Sequence, residues 1–175
     1  MTTTTLQENF KQGMRRYAVG VSVVTSAHEG VLHGMTVTSF TSVALQRPTI
    51  LVCMSKDTHT WKMVEASGRF AINLLSAEHA DSLDVFSGRT QVAPEDRFEH
   101  VDYFVSEYGC PILKESLASF ECEVEATYPG GETHMIVVGR VVNVDLDQRR
   151  GDDGPLVWFD AVPCRLDCPD LSGRS

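Results

Sequence analysis

Apolar and polar residues alternate along parts of the chain with a period of two, which is the pattern of a β-strand with one buried face. The clearest case is ASFECEVEATY, residues 118–128. The pattern sorts its side chains into an apolar face and a polar face: Phe120, Cys122, Val124 and Ala126 on the first, Ser119, Glu121, Glu123, Glu125 and Thr127 on the second. This segment therefore predicts a half-buried antiparallel strand.

Six other segments have the composition of strands. They are VSVVTSA (21–27), VLHGMTVTS (31–39), TILVCM (49–54), RFAINLLS (69–76), MIVVGRVVNVDL (135–146) and PLVWF (155–159). TILVCM is a continuous apolar run, so we expect it to be buried on both faces. Gly139 lies inside the longest segment and predicts a bulge or a close backbone approach. Most links between these strands have hairpin length, with turns expected at 28–30 and 130–134.

Three segments predict helices. A capping box from Thr5 to Glu8 opens the first, which is expected to end near Gly20. The apolar side chains on one side of this helix are Leu6, Phe10, Met14 and Tyr17. Residues 58–67 and 77–88 predict two shorter helices, with N-caps at Asp57 and Ser76 and a stop at Gly68. Residues 90–100, TQVAPEDRFEH, are polar with a proline and predict a mobile loop.

Strands joined by short links, without alternation of strand and helix, favour a mainly β fold built as an antiparallel barrel with a few short helices. The chain has 175 residues, of which 42% are apolar, enough for one domain with its own core. We expect that domain to span residues 1–163 and a loose tail to follow at 164–175.

Charge and cysteine usage narrow the class of protein. A net charge of −9 argues against a general nucleic-acid binder, which would carry a basic face. Five cysteines without a C-x-x-C pair predict reduced thiols, and neither they nor the six histidines have metal-ligand spacing. The start of the chain lacks the pattern of a secretory signal, and no apolar segment approaches the roughly 18 residues needed to span a membrane. These features predict a soluble, cytoplasmic protein without a metal.

The candidate chemistry lies in GMTVTSFTSVALQRP, residues 34–48, where hydroxyl side chains crowd a strand end. CMSKDTHTW, residues 53–61, ends a neighbouring predicted strand. Hydroxyls and free backbone amides suit the polar edge of a planar heterocycle, which Met35, Phe40 and Met54 could flank. Ser55 and Lys56 precede a helix and could hold a phosphate. The alternative is a pair of Thr-rich strands whose hydroxyls bond locally, with Lys56 in solvent.

Residues 34–76 resemble the signature region of the short-chain flavin reductases, the NAD(P)H:flavin oxidoreductase partners of two-component flavin monooxygenases. The resemblance extends from FKQGMRRYAVGVSVVTS (10–26) to GPLVWF (154–159) and so covers almost the whole chain. It implies a Greek-key split β-barrel that binds flavin and is usually a homodimer.

The resemblance also implies a set of cofactor-binding residues. Those expected at the isoalloxazine and the ribityl chain are Thr36, Val37, Thr38 and Ser39, with Ser42 and Val43 nearby. Those expected along the ribityl and phosphate end are Cys53, Met54, Ser55, Lys56, His59 and Thr60. Arg97, in the DRF stretch, and Arg89 are further candidates near the cofactor.

One departure from the family pattern falls at residues 132–134. The family commonly has Gly-Asp-His there, with the histidine near the nicotinamide, whereas this chain has Glu132, Thr133 and His134. His134 keeps the family's five-residue spacing to Gly139. Glu132 either substitutes for the missing acid or leaves His134 to work alone, and a solvent-facing histidine is the alternative.

The activity implied is hydride transfer from reduced nicotinamide to FAD or FMN, which needs no side-chain nucleophile or general base. NADH is favoured over NADPH because no basic cluster in the sequence awaits a 2′-phosphate. Reduced flavin would pass to a partner monooxygenase, with the loop at 90–97 as a lid. The alternatives are a flavoprotein that keeps its flavin and acts on an organic substrate, and a non-enzymatic flavin- or haem-binding protein.

Overall fold

In the part of the chain that the structure describes, three antiparallel sheets are accompanied by three α-helices and two 3₁₀ helices. The computed structural model describes residues 3–114, 116–146 and 154–166. Within these residues the strands are β1 (Val19–Gly20), β2 (Ser22–His28), β3 (Val31–Val37), β4 (Thr41–Ala44), β5 (Thr49–Ser55), β6 (Arg69–Leu75), β7 (Tyr103–Val105), β8 (Pro111–Leu113), β9 (Ser116–Gly130), β10 (His134–Leu146), β11 (Leu156–Phe159) and β12 (Val162–Arg165). The α-helices are α1 (Thr3–Arg15), α2 (His59–Ser67) and α3 (Ala80–Ser87), with 3₁₀ helices at Ala77–His79 and Arg97–His100.

The largest sheet has seven strands in the order β3-β2-β6-β9-β10-β5-β4. Its two edges approach each other just beyond β3, because the Ser39 hydroxyl accepts a hydrogen bond from the Cys53 amide (3.1 Å) and donates one to the Cys53 carbonyl (2.9 Å). The sheet thus curls on itself, and the predicted mainly β, antiparallel fold is confirmed. Smaller sheets, β1-β11-β12 and β7-β8, lie against it.

The seven predicted strands correspond to β2, β3, β5, β6, β9, β10 and β11. The five strands that the pattern missed are two to four residues long, too short for a period of two to show. The bulge at Gly139 is confirmed by a register shift after Val138. A close approach is confirmed as well, since a Cβ there would lie 2.5 Å from Cζ of Phe70.

Two predictions about strand burial were wrong. On β9, Ser119 and Glu121 were expected on the polar face, but both are buried. The β7–β8 hairpin supplies the reason: Ser106, in its loop, donates to Glu121, while Asn143 on β10 donates to the other carboxylate oxygen (2.8 Å). On β5, Leu51 is half-buried rather than buried, so only one face of that strand lies in the core.

Helix ends also differ from expectation. The N-cap of α2 is Thr58 rather than Asp57, because the Thr58 hydroxyl accepts from the Trp61 amide at 3.2 Å. Gly68 ends α2 in the left-handed conformation, as predicted (φ 68°). Ser76 makes no capping bond and instead lies 2.5 Å from Nδ1 of His79. The first helix ends at Arg15 and not near Gly20. An ion pair between Arg15 and Asp160 (2.8 Å) holds its last turn.

The two larger of the three buried clusters in the described residues frame the site. One lies inside the curled sheet, where Val52, Phe70 and Ile72 pack with Trp61 and Val64 of α2. The second lies where Leu83 and Phe86 of α3 pack against Val21, Phe98 and Leu156. Between them the structure leaves the cleft described below.

The predicted end of the domain at residue 163 falls inside β12, which runs to Arg165 and pairs with β11. Residues 167–175 lie outside the described residues, so a loose tail there stays a prediction. Among the helices that the structure describes, none combines the length and the apolar character needed to cross a membrane.

Candidate functional site

A cleft of about 460 Å³ opens between the end of β3, the start of α2, the end of α3 and the segment that leads into the second 3₁₀ helix. A volume of this size is typical of small-molecule sites. Seven of the residues predicted to bind cofactor line it: Thr36, Val37, Thr38, His59, Thr60, Arg89 and Arg97. The structure therefore brings together residues that are up to 61 positions apart in the sequence, from Thr36 to Arg97.

The end of β3 forms one wall of the cleft. Gly34 allows this wall to approach α3, since a Cβ at that position would lie 2.6 Å from Cε1 of Phe86. The Thr36 hydroxyl donates to the Leu83 carbonyl at 3.3 Å, which ties the strand end to α3. Thr38 is exposed, so its hydroxyl is free to meet a ligand. Hydroxyls and apolar side chains thus alternate along this wall, which suits the edge and face of a planar ring.

The first turn of α2 forms the facing wall. Thr58 caps the helix, and Thr60 is buried behind His59. The first backbone amides of a helix lack partners within the helix and carry partial positive charge. The ring of His59 lies 5.2 Å from the ring of His33, measured between centroids. This wall therefore offers amides and imidazoles to a ligand with negative charge.

Arg97 occupies the floor of the cleft. One guanidinium nitrogen, Nη1, donates to the Gly34 carbonyl at 3.1 Å and lies 3.5 Å from the Phe86 carbonyl. Its Nε is buried and has no hydrogen-bond partner among the residues that the structure describes. Burial lowers the pKa of Arg97 from its usual value. A guanidinium held this way is fixed in position and retains a donor to spare.

The rim of the cleft is formed by Arg89, whose guanidinium carbon lies 4.6 Å from the centroid of the Trp158 ring. This distance is that of a cation–π contact. Trp158 reaches the cleft because β11 pairs with β1, where Trp158 faces Val19. An aromatic wall and a second cation thus lie on the same side of the opening.

Other predicted site residues lie outside the lining of this cleft: Ser39, Ser42, Val43, Cys53, Met54, Ser55, Lys56 and His134. Ser39 and Cys53 bond each other across the two edges of the sheet, and Ser42 and Val43 are exposed on β4. The side chain of Met54 is fully buried in the core, so it does not flank a ligand as expected. Its burial follows from the inward face of β5.

The last three of these residues meet at the hairpin corner, which we define as residues 55–56 and 132–134. His134 pairs with Ser55 where β10 begins and β5 ends. Lys56 donates from Nζ to the Glu132 carbonyl (3.1 Å) and from its backbone amide to the Thr133 carbonyl (2.9 Å). His134 is exposed, and its Nδ1 lies 2.9 Å from the Thr133 hydroxyl.

Sequence reasoning missed several residues of the cleft lining, among them His33 and Trp158. His33 directly precedes the GMTVTS stretch, so its place beside the candidate strand end was a usable signal. Trp158 gave no such signal, because only the pairing of β11 with β1 carries it to the cleft.

None of the cysteines that the structure describes lines this cleft. Cys53, Cys110, Cys122 and Cys164 are free thiols. Burial raises the pKa of Cys110 to about 12, with a further contribution from Glu121. In the described part of the chain, no three His, Cys, Asp or Glu residues are grouped as metal ligands would be.

A half-open cleft with hydroxyls and amides on one edge, apolar and aromatic walls, and fixed cations is the site of a protein that binds a planar, anionic small molecule. The chain belongs to the flavin reductase like domain family, whose pattern matches residues 14–167. This membership confirms the resemblance found in residues 34–76.

Named relatives and a solved structure support the same family. The chain is 34% identical to the flavin-dependent monooxygenase reductase subunit HsaB of Mycobacterium tuberculosis (strain CDC 1551 / Oshkosh), over 75% of this chain and 68% of that protein. It is 32% identical to the FMN reductase (NADH) RutF of Cronobacter sakazakii (strain ATCC BAA-894), over 88% of this chain and 89% of that protein. The structure superposes on the Streptomyces globisporus C-1027 NADH:FAD oxidoreductase SgcE6, in complex with NAD and FAD fragments, with a TM-score of 0.83, 26% identity and 98% of each chain covered.

Proposed function

We propose that this protein is an NADH-dependent flavin reductase that supplies reduced FAD or FMN to a partner flavin monooxygenase. The observation that carries the proposal is the cleft, in which the hydroxyl-rich end of β3 faces the start of α2 in a member of the flavin reductase like domain family. The two relatives named above, one a monooxygenase subunit and the other an NADH enzyme, support the partner and the electron donor.

The residues present fit a flavin. The cleft has the volume of a small-molecule site, and the buried Nε of Arg97 lacks a hydrogen-bond partner among the described residues, as expected where a ligand would supply an acceptor. The residues proposed to hold the ring are Thr36, Val37, Thr38 and Ser39. The rest of the cofactor is proposed to contact Ser42, Val43, Cys53, Ser55, Lys56, His59, Thr60, Arg89 and Arg97.

Flavin and nicotinamide supply the redox chemistry when both are bound, by transfer of a hydride from nicotinamide C4 to flavin N5. The protein's side chains orient the two ligands and shield them from water. The hydroxyl of Thr38 and the amides beside it bind the polar edge of the ring. The exposed ring of His134, at the hairpin corner, is proposed to orient the nicotinamide.

Steady-state oxidation of NADH in air, with free FMN or FAD in excess of protein, tests the proposal. Turnover of many equivalents of flavin per protein chain is expected. A single stoichiometric reduction would indicate a flavoprotein that retains its flavin, and no reduction would indicate a binding protein. NADPH in place of NADH gives the donor preference.

A matched pair of variants connects this activity to the cleft. Thr38→Val removes an exposed hydroxyl at the cleft, whereas Thr127→Val removes an exposed hydroxyl on β9, outside the cleft lining. Loss of one hydrogen bond of about 0.5–1.5 kcal/mol should raise the KM for flavin roughly two- to tenfold in Thr38→Val. Thr127→Val is the control and should leave that KM unchanged. Equal values in both variants would remove Thr38 from the site.

We also propose a homodimer, because α1 and residues 16–17, which follow it, expose apolar side chains. Leu6, Phe10, Met14 and Tyr17 have between 49% and 68% of their surface exposed. A second copy of the chain is the proposed cover, since the same face on both copies would bury itself about a two-fold axis. Sedimentation equilibrium should give about twice the 19.3 kDa chain mass.

Phe10→Asp should dissociate this dimer, and Lys11→Asp, next to it on the helix, is the matched control. A Phe10→Asp monomer that still reduces flavin would show that one chain completes the site. A dimer that survives Phe10→Asp would place the interface elsewhere.

A cytoplasmic location is proposed from the four free thiols of the described residues, which persist in reducing compartments. Cell fractionation with an antibody to the protein tests it. Recovery from an oxidising compartment would contradict the proposal.

A further inference from the structure

Positive charge gathers at the cleft of a protein that is acidic as a whole. The chain carries a net charge of −9, yet Arg89, Arg97, His33 and His59 line the cleft. Among the described residues, no Asp or Glu is part of that lining. A partly buried site lined by two arginines and two protonatable imidazoles, with no carboxylate in its lining, favours an anionic ligand.

His33 is the most enclosed of these groups, with 8% of its surface exposed. Burial lowers its pKa, the nearby His59 and Arg97 lower it further, and Glu95 partly offsets them. His59 begins α2, Glu95 lies just before the second 3₁₀ helix, and Arg97 is the first residue of that 3₁₀ helix. The residues of α3 that line the cleft, Leu83, Phe86 and Ser87, carry no charge, and Arg89 lies beyond them on the rim.

Arg97 gives the site a fixed cation. Its two contacts to backbone carbonyls hold the guanidinium in the floor, next to the backbone of Gly34, which follows His33 in the chain. The buried Nε has no acceptor among the described residues. A phosphate oxygen is the acceptor that arginine binds best, because its charge and its paired oxygens match the guanidinium.

We propose that His33, His59 and Arg97 form a subsite for a ligand phosphate, and that His33 takes up a proton when the phosphate binds. The inference rests on the proposed function, because flavin nucleotides and nicotinamide dinucleotides carry the phosphates. It places the phosphate in the cleft and not at Lys56. It also gives a role to His33, which the family resemblance did not mark.

The sign of the pH dependence follows from the charges. Without ligand, burial favours the neutral form of His33, and the nearby His59 and Arg97 favour it further. A bound phosphate adds negative charge beside the ring and favours the protonated form. By linkage, a ligand that binds the protonated form more tightly gains affinity as the pH falls.

Isothermal titration of the wild-type protein with FAD, in two buffers of different ionisation enthalpy, measures the protons taken up. FAD is the main probe because its phosphates are diesters and do not titrate near neutral pH, so the protons counted belong to the protein. Net uptake is expected near neutral pH, with affinity roughly three- to tenfold higher at about pH 6 than at about pH 8. Riboflavin, which has no phosphate, should show neither effect. No proton uptake with either FAD or NAD⁺, or equal uptake with riboflavin, would overturn the proposal.

Variants assign the effect to residues. His33→Gln should abolish the proton uptake and lower FAD affinity while leaving riboflavin affinity unchanged. His59→Gln changes an exposed side chain and tests the same subsite if His33→Gln fails to fold; it should reduce the proton uptake without affecting riboflavin. Lys56→Gln tests the rival phosphate seat at the hairpin corner, and Lys62→Gln, at an exposed lysine of α2 outside the cleft lining, is the matched control. Suppose that Lys56→Gln lowers the affinity for FAD but not for riboflavin, while both histidine variants bind FAD as tightly as wild type does. The phosphate then lies at the hairpin corner and the proposal is wrong.

The affinities of wild type and His33→Gln for NAD⁺ and for FMN identify which ligand supplies the phosphate. If His33→Gln lowers the affinity for NAD⁺ and leaves that for FMN unchanged, the subsite holds the dinucleotide phosphate. The reverse result assigns the subsite to the flavin phosphate, and either result supports the subsite. FMN titrates near pH 6 itself, so its pH dependence is compared between wild type and His33→Gln. Steady-state NADH oxidation by the wild-type protein separates the two claims, since turnover without proton-linked binding would sink the subsite and leave the reductase intact.

Discussion

The cleft and the hairpin corner both offer cations to a ligand, but they differ in what surrounds those cations. In the cleft, Arg97 is held by backbone carbonyls and His33 is buried against α2 and the segment after α3. At the corner, Lys56 and His134 lie at the surface, held by bonds within the turn itself. An enclosed group acts in a medium of lower dielectric constant, whereas an exposed one is screened by water and salt.

This difference suggests separate tasks for the two regions. A preformed, enclosed cleft fixes one ligand in place, because its donors lose little freedom when the ligand arrives. An exposed corner contributes strongly only when a second molecule covers it. The second molecule would be the nicotinamide dinucleotide or the other subunit of the proposed dimer. Three experiments test this division of labour, beginning with the largest effect.

His134→Ala should lower the rate of flavin reduction by roughly 10²-fold or less and leave flavin affinity nearly unchanged. Hydride transfer needs the reacting atoms about 3–3.5 Å apart, and a loosely held nicotinamide is rarely there. Anaerobic stopped-flow measurement of flavin absorbance gives the rate, and fluorescence titration gives the affinity. A wild-type rate would return His134 to the role of a solvent-facing side chain.

Two neighbours sharpen the experiment. Thr133→Val should show part of the His134→Ala defect, because the Thr133 hydroxyl lies 2.9 Å from the His134 ring. Glu132→Gln is the matched control and should be silent, since Glu132 contributes its backbone carbonyl to Lys56. A defect in Glu132→Gln would mean that this carboxylate has replaced the acid that the family usually has.

Gly34→Ala should lower the free energy of unfolding by about 1–3 kcal/mol and weaken flavin binding as well. The new Cβ would lie 2.6 Å from a carbon of Phe86, a buried ring packed edge-on against Phe98. Urea denaturation measures the first effect. Gly20→Ala is the control, because a Cβ there meets nothing within 4 Å. Equal stability of Gly34→Ala and wild type would show that the cleft wall moves to accept the Cβ. That result would contradict the preformed cleft that we contrast with the hairpin corner.

The smallest effect concerns the pH dependence of stability without ligand. The pKa of His33 lies below its ordinary value of about 6.5 in the folded protein, chiefly through burial, so the unfolded chain binds more protons below about pH 6.5. Stability should therefore fall as the pH drops through that window, and less so in His33→Gln. One proton per pH unit changes the unfolding free energy by at most about 1.4 kcal/mol. Urea denaturation at two pH values gives the slope of unfolding free energy against pH for wild type and for His33→Gln. Identical slopes in the two proteins would contradict the buried, neutral state of His33.

The sequence predicted the long strands well because their periodicity reports the burial of one face. It failed where tertiary contacts override that local signal. Glu121 belongs by pattern to a solvated face, yet the β7–β8 hairpin covers it and Ser106 binds its carboxylate. Nothing in the alternation of residues 118–128 announces a hairpin that comes from residues 103–113.

The candidate site divides in the same way. Thr36, Thr38 and His59 were predicted from a resemblance carried by contiguous motifs, and the structure places them around one cleft. Trp158 comes from a strand pairing that the sequence does not encode locally. Lys56 lies outside the cleft lining although Thr58, two residues on, is part of it, because Lys56 bonds to the turn at residues 132–133, which its own motif does not reveal.

The uneven placement of charge also governs how an anionic ligand arrives and leaves. At low salt, where the Debye length is about 30 Å at 0.01 M, a distant anionic ligand meets mainly the repulsion of a chain with net charge −9. Close to the cleft, Arg89 and Arg97 attract it. Added salt should therefore speed the encounter by screening the repulsion and shorten the residence time by weakening the attraction. For a product that must diffuse to another enzyme, such a surface favours rapid exchange over long retention.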